Sequence, residues 1–354
     1  MRDTNVMILI AVCLFSGSLS GCGKKGTVTT SPVSIDSEKL SFFEALPEVM
    51  PSKANTITEE KVALGRMLFY EMRLSKSQQI SCNSCHLLPE YGVDGQTTSD
   101  GHKGQRGDRN APTVYNAAGH IAQFWDGRAV DVEEQAKGPV MNPIEMAMPS
   151  EKVVVAVLKS MPEYVDAFKR AFPEDKEPVT YDNLGKAIGA FERKLVTPAR
   201  WDRFLHGDQT ALTAEEKAGF NTFFETGCQT CHVGRYIGGT LYQKLGMAKS
   251  WPDDTDPGRQ KVTKSEADRL VFKVPSLRNI EKTGPYFHNG KLATLQEAVS
   301  TMAEYQLGKR LSPAQTQSIT VWLKTLTGEI PAEFIKEPAL PKSTAKTPKP
   351  DLSD

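Results

Sequence analysis

Surplus charge is missing from this 354-residue chain: 43 lysines and arginines offset 43 aspartates and glutamates. No basic excess argues for nucleic acid, and no acidic tail argues for a solvated, unfolded segment. Signals for β-strands are sparse. The apolar run Val6 to Phe15 is too short to span a bilayer and sits at the extreme N-terminus. Cysteine is also in short supply. Of six, Cys13 and Cys22 lie near the N-terminus, and the other four belong to two short runs, so none remains for a structural disulfide. Whatever staples this chain together is not a disulfide framework.

What is present is a repeated pentapeptide. Cys82-Asn83-Ser84-Cys85-His86 is answered by Cys228-Gln229-Thr230-Cys231-His232. A Cys-x-x-Cys-His run attaches a c-type haem. Both thiols face one side of a short helical turn and bond to the haem vinyl groups, and the adjacent imidazole becomes the proximal iron ligand. Cys-x-x-Cys alone also serves zinc knuckles and redox dithiols. Zinc wants four ligands clustered in each site, and neither run offers a fourth. Two complete runs in one chain read as two covalent haems. The somewhat lean hydrophobic content, 39%, fits helices that borrow part of their core from buried porphyrin.

Residues 1–22 read as a targeting segment. It ends in Leu19-Ser20-Gly21-Cys22, which resembles the bacterial lipobox, so cleavage would leave Cys22 as a lipidated N-terminus. The n-region is weak, with Arg2 offset by Asp3, and an ordinary secretory signal with a coincidental cysteine is the alternative. A lipid would tether an otherwise water-borne enzyme in the periplasm. Gly23 and Lys24, with no aspartate after the cysteine, favour the outer membrane by resemblance. Residues 23–39 read as a flexible tether. Residues 337–354, with four prolines among Lys, Thr and Ser, read as a disordered tail.

Between these ends the chain repeats itself. Thr56-Ile57-Thr58-Glu59 and Thr213-Ala214-Glu215-Glu216 each read as a capping box opening a helix. Gly65 with Leu68 and Phe69 precedes the first haem run, and Gly219 with Phe223 and Phe224 precedes the second. Ala187 through Leu195 mirrors Ser318 through Leu326 as an amphipathic helix closing each half. These halves resemble cytochrome c folds, where a glycine of the first helix lets an aromatic of the last approach closely. The expected architecture is all-α, with two cytochrome c-like haem domains in tandem, residues 40–198 and 199–336, joined near Pro198–His206. Residues 92–110, carrying five glycines and His102, are the exception to helix and read as a mobile loop.

Each iron leaves its sixth position to be filled. Outside the haem runs the histidines are His102, His120, His206 and His288, and the methionines after His232 are Met247 and Met302. His102, on the glycine-rich loop, is within reach of the haem on His86. A thioether would raise the potential of the second haem relative to a second imidazole. Residue type alone does not choose between the methionines.

Six stretches fall in order: Ala111-Pro112-Thr113-Val114-Tyr115-Asn116, Phe124-Trp125-Asp126-Gly127-Arg128, Glu133-Glu134-Gln135-Ala136, Pro143-Ile144-Glu145-Met146, Phe272-Lys273-Val274-Pro275-Ser276-Leu277-Arg278-Asn279 and Pro285-Tyr286-Phe287-His288-Asn289-Gly290. The series resembles the bacterial diheme cytochrome c peroxidases over about residues 40–335. The resemblance implies the reaction H₂O₂ + 2 e⁻ + 2 H⁺ → 2 H₂O, with electrons from a small periplasmic cytochrome c or cupredoxin, and a homodimer. It implies a low-potential peroxidatic haem on His86 with His102 as removable ligand, and a high-potential haem on His232 with Met302. Trp125 would lie on the electron path between them. Asn110, Thr283 and Pro285 match the ligands of a calcium ion at the domain junction. Splitting a peroxide O–O bond needs a proton moved from one oxygen to the other, a task the resemblance gives to Glu145, with Gln135 orienting peroxide or water and Pro139 lining the pocket. Glu133 and Glu134 read as surface or structural.

Two rivals share parts of this pattern. Diheme enzymes that mature a tryptophan-derived quinone replace the methionine ligand with tyrosine and lack the loop histidine, so Met302 and His102 point away from them. A non-catalytic diheme electron-transfer cytochrome would need neither Glu145 nor a removable ligand.

Overall fold

Helix starts in this chain are written by side-chain caps. Thr58, Asp131, Ser150, Thr180, Thr213, Thr294 and Ser312 each accept a backbone N–H of the first turn they precede. The computed structural model describes residues 33–353. The helices among them are α1 (Ser37–Leu40), α2 (Glu59–Tyr70), α3 (Cys82–Cys85), α4 (Val132–Met141), α5 (Glu151–Lys159), α6 (Pro162–Ala171), α7 (Tyr181–Glu192), α8 (Arg200–Leu205), α9 (Ala214–Thr226), α10 (Gln260–Thr263), α11 (Leu295–Leu307) and α12 (Pro313–Lys324). Thr213 and Glu216 form the full capping box expected of them. The box expected at Thr56–Glu59 is not formed, because Thr58 reaches the Lys61 amide first and starts α2 two residues later. The helical expectation has one further exception, a two-stranded antiparallel sheet of β1 (Tyr242–Lys244) and β2 (Val271–Lys273), with Tyr242 opposite Lys273.

Two aromatic-rich cores organise the described residues, one around α2 and α7 and one around α9 and α12. Each forms where a glycine lets two helices touch backbone to backbone. A Cβ on Gly65 would lie 1.9 Å from the Ala187 carbonyl oxygen and 2.9 Å from Phe191 Cβ. A Cβ on Gly219 would lie 2.2 Å from the Ser318 carbonyl oxygen and 3.0 Å from Trp322 Cβ. The helix-glycine and partner-aromatic arrangement expected of each half is therefore present in both.

Past the joint near Pro198–His206, α8 buries Trp201 among Phe43, Phe204, Phe220 and Trp322 of the second core. The expected boundaries differ at the two ends of the chain. The chain ends are crossed. Ile35, Leu40 and Phe43, at the N-terminal side, pack in the second core, while Phe334 and Ile335, after the second half, pack in the first. The tail, expected to be disordered from its composition, is laid along the first half. Arg73 donates to the Pro341 carbonyl and to Ser343, Thr344 donates to the Ser160 carbonyl, and Asp351 N–H donates to the Lys76 carbonyl. Its prolines leave few amides to satisfy, so a few side-chain donors suffice to seat it. Residues 1–32, including Cys13 and Cys22, lie outside the described residues.

The halves meet through a reciprocal contact. Asn110 N–H donates to the His288 carbonyl at 2.8 Å, and Lys273 N–H donates to the Trp125 carbonyl at 2.8 Å. Asn110 and Lys273 each stand two residues before a proline, and each proline stands four before an asparagine, Asn116 or Asn279, in the left-handed region at φ 61° and 59°. Both asparagine amides donate to Thr197 Oγ1, at 2.8 and 2.9 Å. The junction is thus built twice from one pattern, as an isologous contact is. A buried ion pair, Arg278 to Asp202 at 2.7 Å, then fixes residues 44–46 on the second half through the Glu44 carbonyl and the Leu46 amide.

Candidate active site

The imidazole of His86 ends the single turn of α3, and its Nδ1 stands 3.2 Å from the Gly92 carbonyl oxygen. His232 repeats this, with Nδ1 at 3.3 Å from the Ile237 carbonyl. A carbonyl only accepts, so Nδ1 carries the proton and Nε2 keeps its lone pair, as a metal ligand requires. Burial lowers both imidazoles, His232 to about 4, so both are neutral at ordinary pH. Burial pushes the thiols the other way: Cys82 well up, Cys85 to about 11 and Cys228 to about 12, with Cys231 raised as well. A redox dithiol needs a lowered thiol, and these are raised. No group of three or more His, Cys, Asp and Glu among the described residues is placed to hold a metal ion, so the zinc reading lacks its ligands. Paired half-buried thiols beside a neutral imidazole with a free Nε2 fit a covalently attached haem.

Beside the first of these sites lies a cavity of about 450 Å³. Cys82, Cys85 and His86 form one wall, and Gln135, Pro139 and Glu145 stand in another. A second cavity of about 530 Å³ opens outward between Val130 and Glu134. Phe124, Arg128, Pro139, Asn142 and Glu145 line both, so Glu145 stands in the partition between them. Asn142 Nδ2 donates to Glu145 Oε1 at 2.9 Å. Burial raises the Glu145 carboxyl above its ordinary value, and the Arg128 charge and the Asn142 hydrogen bond oppose that rise. Arg128 lies over the Phe124 ring at 3.4 Å and pairs with Asp126.

His102 is only 4% exposed, and neither ring nitrogen has a hydrogen-bond partner. Its backbone amide donates to the Ile144 and Glu145 carbonyls at 2.8 Å each, which ties the glycine-rich loop to the residues that carry Glu145. A Cβ at Gly101 would lie 2.0 Å from the Ile144 carbonyl oxygen, so the approach needs glycine. Met302 is half-buried on α11, whereas Met247 is 59% exposed. Trp125 donates from Nε1 to the Asn110 carbonyl at 2.9 Å and meets the His288 ring edge-on at 6.4 Å. Trp125 and His288 occupy equivalent places in Phe124-Trp125-Asp126-Gly127 and Phe287-His288-Asn289-Gly290, each loop beginning at a positive φ. Of the residues matched to calcium, Asn110 is buried at the junction, with Nδ2 donating to the Gln96 carbonyl. Thr283 and Pro285 belong to the segment that leads to His288, whose carbonyl accepts from Asn110 N–H.

Glu133, read as surface or structural, is structural: it is buried and accepts from Arg193 at 2.8 Å through both oxygens and from Asn55, joining α4 to the end of α7. Glu192 lines the haem-side cavity while only 4% exposed. Its place between Phe191 and Arg193 at a helix end gave no signal of this.

Residues 59–210 match the family model described as di-haem cytochrome c peroxidase. The chain is 47% identical to a cytochrome c551 peroxidase of Nitrosomonas europaea, across 92% of this chain and 98% of the relative. It is 44% identical to one of Pseudomonas aeruginosa, across 88% and 90%. Among solved structures it is similar to a MauG-like protein associated with microbial copper homeostasis, with a TM-score of 0.73 and 29% identity across 83% of this chain and 97% of that one. Paired haem-attachment runs, a carboxylate in the partition beside the first, and these similarities together make the chain a member of the di-haem cytochrome c peroxidase family.

Proposed function

We infer that this chain reduces hydrogen peroxide to water in the periplasm, with electrons from a small c-type cytochrome or cupredoxin. The observation that carries the reading is the place of Glu145, between an outward-opening cavity and the one walled by Cys82, Cys85 and His86. Those residues and Cys228, Cys231 and His232 hold the two haems of the family. When bound, the haems supply electron storage and the iron at which peroxide is split. Glu145 takes a proton from one peroxide oxygen and returns it to the other, and Gln135 orients the molecule beside it. Burial favours this by raising the carboxyl above its ordinary value, the direction a proton carrier needs.

His102 is a removable ligand of the first haem, supported by its buried, unpartnered ring nitrogens. Met302 is the distal ligand of the second, supported by the exposure of Met247. Trp125 lies on the electron path, and Asn110, Thr283 and Pro285 hold calcium by resemblance. The mature protein is a homodimer tethered through a lipid on Cys22. No helix among the described residues is long and apolar enough to cross a membrane.

Peroxide turnover with a reduced donor tests the central assignment. Glu145→Gln should lower kcat by about 10²–10⁴ with haem content unchanged. Turnover within a factor of two of wild type would remove Glu145 from the chemistry.

A further inference from the structure

Besides Glu145, the cavity beside His86 is lined by Asp108, Asp126 and Glu192; Asp126 pairs with Arg109 and Arg128, and Asp108 with Lys261. Glu192 ends α7, 4% exposed, and its side chain makes no hydrogen bond or ion pair among the described residues. Its neighbour Arg193 is committed elsewhere, with three nitrogens on Glu133 and the Pro51 carbonyl. Of the groups near Glu192, the Glu133 carboxylate of α4 disfavours its charge, Arg193 favours it while engaged with Glu133, and the Cys82 thiol of α3 is held neutral by burial. Farther across the cavity stands Glu145, held by Asn142. An unpaired carboxyl this deeply buried is expensive to ionise, and it keeps its proton until something in the cavity changes charge. Burial accordingly raises it to about 8.

We propose that Glu192 is the proton-holding group coupled to the redox state of the haem carried by Cys82, Cys85 and His86. With each electron delivered there by the donor protein, one Glu192 carboxylate oxygen takes one proton from water, forming an O–H bond. On oxidation the same bond breaks and the proton returns to water. One added negative charge is thereby matched by one added positive charge on a side chain only 4% exposed, where solvent screens little. Glu192 is a positioning residue for charge and does not touch peroxide. The proposal rests on the family's haem at His86 and not on the role given to Glu145.

Potentiometric titration of the holoenzyme against pH tests it. For the haem on His86, the reduction equilibrium should weaken up to tenfold per pH unit in a window that includes pH 8, about 59 mV per unit for one electron. Glu192→Gln should flatten that window, Glu192→Asp should restore a slope, and Glu145→Gln should leave it in place. A pH-independent wild-type potential, or a slope that survives Glu192→Gln, overturns the proposal. If Glu192→Gln fails to take up haem, the reduced-minus-oxidised infrared spectrum of the wild type and of Glu145→Gln decides. Both should show a carboxylic-acid carbonyl band, and its absence overturns the proposal. Normal peroxide turnover alongside a flat potential would sink this inference alone; a sloping potential in a protein without turnover would sink the peroxidase reading alone.

Discussion

Glu145 and Glu192 line the same cavity, and their surroundings give them different behaviour. Glu145 has a hydrogen bond from Asn142 and an arginine within electrostatic reach, so burial raises it against opposition. The Glu192 side chain has no hydrogen bond among the described residues, and the Arg193 charge that favours its ionisation is offset by that of Glu133. Its raised value has a consequence for stability whose sign is fixed. Between the ordinary 4.5 and about 8 the folded protein keeps a proton that the unfolded chain has released. Stability then falls as pH rises through that window, and the loss is complete above it. Glu192→Gln carries no such loss. Its holoenzyme should match wild type in denaturant near pH 4.5 and exceed it at pH 8 by an amount on the order of a few kcal/mol. Equal unfolding midpoints at both pH values would mean that Glu192 is ionised in the fold. None of this was legible in the sequence. Glu145 became visible only through the ordered motifs around it, whereas Glu192 reads as a solvated helix end, because burial at a helix terminus is decided by what packs there.

At the scale of elements the two helix crossings carry the fold, and a methyl group tests each. Alanine has the better helix propensity by about 1 kcal/mol. At Gly219 that gain meets a Cβ 2.2 Å from the Ser318 carbonyl oxygen, and at Gly65 one 1.9 Å from that of Ala187. Neither obstacle can rotate away, since both are backbone. Gly219→Ala should therefore lose about 1–3 kcal/mol net, read as a lower denaturation midpoint, with the α9–α12 half losing hydrogen-exchange protection first. An unchanged midpoint would show that the helices can separate freely. These crossings were legible because a glycine and an aromatic at matching offsets recur in both halves. The haem runs were legible for the same reason, as local patterns tied to one chemistry. The start of α2 was missed because Thr56 and Thr58 both suit a cap and only the helix direction chooses. The burial of α8 was missed because Trp201 and Phe204 are too few to set a period.

The chain as a whole is closed by its crossed ends, which local sequence cannot announce, since each end answers residues far away. The N-terminal crossing is buried and charged. Asp202 accepts from Arg278, from Ala199 N–H and from Leu46 N–H, so Asp202→Ala would strand a buried guanidinium and should lose about 3–5 kcal/mol. The C-terminal crossing differs, and magnitudes say how. Neither core takes a residue beyond Ile335, and a few hydrogen bonds, each worth about 1 kcal/mol net, seat residues 337–353, so truncation after residue 336 should move the global unfolding midpoint little. Its effect should be local. Arg73 pairs with the buried Glu71, which also accepts from Tyr164, and the tail covers that pair through the Pro341 carbonyl and Ser343. Without the tail, water reaches the pair, and amides of residues 71–78 should exchange faster while those of α9 and α12 do not change. Faster exchange in both halves, or a large drop in midpoint, would show that the tail closes the whole molecule and not the first half alone.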